Sequence, residues 1–115
     1  MKLTNYEKAV VPKAKLTDYL LSLTHRDGCS KAKFFIRFGF SSEQWEIMAQ
    51  ALKHHIAHNE VAGTEISYFG TKYIIEGTIL APDGRNPEIR SVWFVKSGTD
   101  IPFFVTAYPL KGKIK

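Results

Sequence analysis

Hydrophobic positions change rhythm about halfway along this chain. From Lys13 to Leu23 the residues Leu16, Tyr19, Leu20 and Leu23 recur at spacings of three and four. That period gathers apolar groups on one side of a helix, so it predicts an amphipathic first helix facing a core. Residues 4–11 are short and mixed, and Val11 before Pro12 avoids the helical region, which sets the helix start after the proline. Asp27-Gly28 predicts the turn that follows. Ser30 is a suitable N-cap for a second helix from Lys31 to Phe38, with Phe34, Phe35 and Phe38 inward and Gly39 just past its end. Ser41 and Gln44 form a capping-box pattern that opens a third helix running to about His58. Trp45, Met48, Ala49, Leu52 and Ile56 mark its apolar stripe, and Glu43, Glu46, Gln50 and Lys53 face water.

Beyond Asn59–Gly63 the helical period is lost and β-branched and aromatic residues dominate. Four strands are predicted, at 65–69, 72–80, 89–95 and 103–108, with Gly70-Thr71 and the segment Pro82 to Pro87 as turns. Short connections between consecutive strands favour an antiparallel meander. Helices first and strands after predict a single α+β domain over 1–115, its N-terminal helices packed on one face of a four-stranded antiparallel sheet. In the last strand, alternation assigns Phe103, Val105 and Ala107 to one face and Phe104, Thr106 and Tyr108 to the other.

Charge alters this picture more than composition does. Sixteen Lys and Arg against eleven Asp and Glu give a formal net charge of +5, and an excess of that sign favours polyanionic partners through counterion release. The basic residues cluster early, at Arg26, Lys31, Lys33 and Arg37, and again at Lys111, Lys113 and Lys115. A hydrophobic content of 44% excludes disorder, and no apolar run reaches the roughly 20 residues of a spanning helix. No apolar leader is visible at the N-terminus, and the single cysteine, Cys29, cannot close an internal disulfide. Together these predict a cytoplasmic protein without membrane contact.

Candidate chemistry is sparse. His25 lies in a polar loop, where an imidazole serves as general base or acid near neutrality, or is simply solvated. Lys31 and Lys33 stand at a helix start, a place that attracts phosphate. His54 and His58 share a helix face at the spacing of metal ligands, but no third ligand follows them, so no metal is expected. No phosphate-binding glycine loop, paired catalytic carboxylates or nucleophile elbow is present, and no cofactor is called for. Cleavage of RNA through its own 2′-hydroxyl needs a base, an acid and a cation or donor for the phosphate. His25, Lys31 or Lys33, and Thr106 or Tyr108 supply these types if the fold brings them together.

Several segments carry a resemblance: His25-Arg26-Asp27-Gly28-Cys29-Ser30-Lys31-Ala32-Lys33-Phe34-Phe35, Pro82-Asp83-Gly84-Arg85, Val92-Trp93-Phe94 and Val105-Thr106-Ala107-Tyr108-Pro109. In these the chain resembles an uncharacterised family of small bacterial proteins. Its members also occur as C-terminal domains of large secreted toxins and are sometimes labelled adhesins. The layout in turn resembles the barnase/colicin/RelE-like ribonuclease fold, whose toxins cut RNA without metal. That resemblance implies His25 as base, Lys31 as phosphate ligand, and Thr106 and Tyr108 as transition-state donors. It adds Lys72 and Arg90 to the RNA-binding set of Arg26, Lys33 and Arg37. It also implies an acidic antitoxin or immunity protein as partner. Cys29 stands where the pattern has another small or polar residue, and no second well-placed histidine supplies an acid. The other reading is a non-catalytic binding or regulatory module of a toxin–antitoxin-like system.

Overall fold

Four strands, β1 (Val61–Ser67), β2 (Gly70–Thr78), β3 (Glu88–Lys96) and β4 (Phe103–Pro109), lie side by side in chain order, each antiparallel to the next. The computed structural model describes residues 1–110, so Lys111, Lys113 and Lys115 lie outside the described residues. Ahead of the sheet come α1 (Lys13–Lys15), α2 (Cys29–Arg37) and α3 (Trp45–His58). They pack on the sheet as an α+β fold, as the order of periodicities predicts. Trp93, Ile75, Phe104 and Ala107 from the strands meet Phe35, Met48, Leu52 and Ile56 from the helices in one core, nearly all of them without exposed surface. Each large apolar side chain so buried stabilises the fold by about 1.5–3 kcal/mol before entropy is counted.

The first helix departs from the predicted span. After Lys15 the backbone widens into a π-helical turn over Leu16–Leu20, closed by the Leu21 amide on the Leu16 carbonyl at 2.8 Å. An extra residue in the turn shifts the phase of the helix. Leu16, Leu20 and Leu21 therefore enter the core, while Leu23, predicted inward, is exposed. The second helix begins at Cys29, and the Ser30 side chain makes no cap hydrogen bond. Ser41 holds the Gln44 amide at 3.3 Å, but the third helix itself starts at Trp45. The first strand runs earlier than predicted, and Tyr68-Phe69 form the turn in place of Gly70-Thr71.

A bulge corrects the reading of β4. Val92 pairs with Thr106 but Trp93 pairs with Phe104, so Val105 is an extra residue in the ladder. One inserted residue reverses the alternation. Phe104 and Ala107 thus both face the core, and Phe103 is turned to solvent. Thr106 and Tyr108 lie after the bulge and share the opposite face, in register with Val92 and Arg90. The outer edge of β4 is not bare. Val10 forms a parallel bridge to Phe103, donating to the Pro102 carbonyl and accepting from the Phe104 amide, each at 2.9 Å.

Candidate active site

Cross-strand neighbours point the same way, so the register reads out the sheet face turned away from the core. Glu76, Arg90 and Tyr108 form one row across β2, β3 and β4. Ile74, Val92 and Thr106 form the next, and Lys72 with Phe94 the one after. Arg90 donates through Nε to the Glu76 carboxylate at 2.8 Å, and its guanidinium lies 5.9 Å from the centre of the Tyr108 ring. Hydrogen bonding to Tyr108, then to Glu76, holds Arg90 in its charged form even more firmly than usual. Lys72 is ion-paired with Glu65 at 3.3 Å on the same face.

Beside this face, the start of α2 and the end of β4 enclose an open cleft of about 440 Å³, lined by Ser30, Lys31, Thr106, Tyr108 and Pro109. Behind it stands Tyr19, on the π-helical turn. Its hydroxyl and that of Thr106 share a hydrogen bond at 2.8 Å. Two ammonium groups flank its ring, Lys31 Nζ at 5.7 Å and Lys15 Nζ at 5.4 Å from the centroid. The negative ring face attracts both cations, so the aromatic helps keep two positive charges close together at the cleft.

His25 packs edge-on against the same ring, centroids 5.0 Å apart. Its Nδ1 accepts the amide hydrogens of Asp27 at 2.9 Å and Gly28 at 3.0 Å. A nitrogen that accepts two N–H groups carries a lone pair, which puts the ring proton on Nε2. The other ring nitrogen is therefore a donor. Gly28 permits this arrangement, because a Cβ there would collide with the Tyr19 carbonyl. The asparto-glycyl turn can thus close down on Tyr19, and Lys31 Nζ returns to the Asp27 carbonyl at 3.2 Å.

The cleft thus gathers Lys31, Thr106 and Tyr108, with Arg90 beside Tyr108 and His25 one ring behind. Arg26 is exposed in the same loop as His25. Lys33 and Arg37 are exposed but stand roughly 200° and 240° around α2 from Lys31, so the helix turns them away from the cleft. Two residues escaped the sequence reading. Tyr19 had the spacing of a core residue, and only the widened turn sends it to β4. Glu76 had no visible partner until the register put Arg90 opposite. Among the described residues no group of three or more His, Cys, Asp or Glu side chains could hold a metal ion. His54 and His58 instead stack at 3.9 Å, with His58 Nδ1 donating to the His54 carbonyl. No helix among the described residues is long and apolar enough to cross a membrane.

A family model described as a domain of unknown function, DUF6883, matches residues 2–111. The chain is a DUF6883 domain. No curated protein matches it. Among solved structures, the DUF6883 domain is similar to a chain of a contact-dependent growth inhibition toxin–immunity protein complex from Klebsiella pneumoniae 342. The TM-score is 0.72 at 20% identity, over 93% of this chain and 97% of that one. At that identity the likeness speaks for the fold.

Proposed function

We propose that this DUF6883 domain is a toxin-type, metal-independent ribonuclease that cleaves RNA through its 2′-hydroxyl and is neutralised by an acidic immunity-type protein. The observation that carries this reading is the meeting of Lys31, Thr106 and Tyr108 in one cleft, next to a sheet row of Glu76, Arg90 and Tyr108. The solved structure of similar fold, a toxin–immunity complex, supports the biological setting. In this scheme Lys31 and Arg90 hold the scissile phosphate, and the Thr106 and Tyr108 hydroxyls donate to its oxygens as charge builds on them. The Glu76 carboxylate accepts the 2′-hydroxyl proton as the 2′-oxygen attacks phosphorus. The 5′-oxygen leaves with the Nε2 proton of a His25 imidazolium, formed by uptake of a solvent proton at Nδ1 in place of the Asp27 and Gly28 amides, giving a 2′,3′-cyclic phosphate and a neutral ring. His25 is then the acid rather than the base, because Nε2, the nitrogen not turned to these amides, already carries a proton.

The occupied Nδ1 also favours a second reading, in which His25 only ties the turn into α2 and the cleft binds an anion without cutting it. Incubation of the purified domain with total RNA in excess chelator separates the two. Cyclic-phosphate ends that disappear with Thr106→Ala and with His25→Ala are the expected result. Intact RNA in the presence of folded wild-type protein leaves the binding reading alone.

A further inference from the structure

The edge of the sheet opposite the cleft carries a feature that the cleft chemistry does not use. Ile66, Tyr68 and Phe69, at the tip of the β1–β2 hairpin, are 85%, 90% and 72% exposed. Exposed ends of this kind are usually mobile, but this one is pinned. Ser97 donates from its amide to the Phe69 carbonyl at 2.9 Å and from its hydroxyl to the Tyr68 carbonyl at 3.2 Å. Ser67 Oγ takes the Phe69 amide and donates to the Gly70 carbonyl. Gly70 seats the tip on β3, since a Cβ would strike the Val95 carbonyl and the Phe94 ring. The backbone is fixed by hydrogen bonds and three apolar side chains project from it, the arrangement that keeps the ordering cost of binding low.

β1 is also an edge strand: among the described residues no strand pairs with its outer side. Edge strands are ordinarily blunted by lysine, proline or strong bulging. Here the bulge at Ala62 lies at the far end, and the stretch from Gly63 to Ser67 carries one charge, Glu65, already paired with Lys72. From these features we infer that the outer edge of β1 and the tip residues Ile66, Tyr68 and Phe69 form a docking surface for an acidic protein partner, which adds an extended strand to β1 and receives the three side chains in an apolar pocket. The inference rests on the toxin reading for the expectation of a protein partner. The partner's acidity follows from charge: the chain carries +5, and with Lys72 and Glu65 offsetting each other, Lys96 is the charge left beside the tip. A second copy would meet the same charge sign. β1 and β4 are three strand spacings apart, roughly 14 Å, and the tip lies at the end of the sheet away from Tyr108. The docking edge itself is therefore separate from the cleft.

The test uses the purified domain and a displayed library of 16-residue peptides, with selected peptides titrated into ¹⁵N-labelled protein. Acidic peptides with alternating apolar residues are expected, shifting the amides of Gly63 to Gly70. Their affinity should fall at least tenfold with the double variant Tyr68→Ser/Phe69→Ser and with Ile66→Lys, and stay unchanged with Thr106→Ala. Circular dichroism on each variant confirms the fold. Peptides that shift Lys31 and Thr106 instead, or a selection that yields no binder, overturn the inference. So does a single-stranded oligonucleotide that shifts Tyr68 and Phe69, or a wild-type dimer that Ile66→Lys dissolves. Because the readout is binding, absence of RNA cleavage sinks the ribonuclease reading and leaves this result standing.

Discussion

Two histidines of this chain show how differently one residue type is used. His55, on the core side of α3, is fully buried, and both ring nitrogens are matched: Nδ1–H donates to the Thr78 carbonyl at 3.0 Å, and Nε2 accepts from the Ser91 hydroxyl at 3.0 Å. Ser91 in turn receives the Trp93 indole N–H at 2.9 Å. Every buried polar atom in this chain of bonds has a partner, and it stitches α3 to β2 and β3. His25 is only half as well matched: Nδ1 accepts the Asp27 and Gly28 amides, Nε2 has no partner among the described residues, and the ring packs on Tyr19 behind the cleft. Complete pairing marks a structural histidine, and the unspent nitrogen of His25 is the one that the proposed cleavage would use.

That contrast can be broken from either side. Replacing His55 by Ala is expected to cost about 3 kcal/mol, from the cavity and the orphaned Ser91 and Thr78 groups, with cleavage per folded molecule unchanged; urea melts and RNA assays check both. The cleft should behave in the opposite sense. Thr106→Ala or Tyr108→Phe is expected to slow cleavage about a hundredfold, as loss of one transition-state donor does, while moving stability by less than about 1 kcal/mol. Tyr19→Phe removes only the hydroxyl that positions Thr106. About tenfold slower cleavage is expected, in kcat more than in KM, with the pH profile unmoved.

Titration sharpens the comparison further. Burial pushes the His55 pKa below its ordinary 6.5, against the raising effect of the Thr78 bond. Above pH 6.5 the ring is neutral in both folded and unfolded chains, and its contribution is fully present. As pH falls below 6.5, the unfolded chain takes up a proton that the folded one refuses, so stability declines until the folded ring also protonates. Melts between pH 7 and 5 should show this slope, and His55→Gln should flatten it. The smallest effect is expected at the exposed Lys72–Glu65 pair, where Glu65→Ala should change stability by no more than about 0.5 kcal/mol.

Much of the architecture was legible because it is written in local period. The stripe from Trp45 to Ile56 and the β-branched runs of β2 and β3 each agree with their neighbours' burial, and short loops left one sensible order of strands. Errors arose where a single residue breaks the period. The π-helical turn at Leu16–Leu20 exchanged Leu23 for Leu21 and freed Tyr19, and the bulge at Val105 exchanged Phe103 for Phe104 in the core. Neither insertion has a composition of its own, since both follow from packing against distant elements. Of the candidate cleft, the lining residues Lys31, Thr106 and Tyr108 were legible because basic and hydroxyl side chains are conspicuous near apolar runs, whereas His25 packs behind it on Tyr19. The assembly of the site was not, because Glu76 and Arg90 meet only through strand register.

The short bridge that Val10 makes to Phe103 has a consequence for association between molecules. Backbone ladders extend from chain to chain most readily when both borders of a sheet are available, and here the start of the β4 border, at Phe103, is met by the chain's own N-terminal segment. Stacking of β1 of one molecule on β4 of the next is hindered at that point. A partner added to β1 is therefore expected to give a complex of fixed stoichiometry rather than the first step of a fibre.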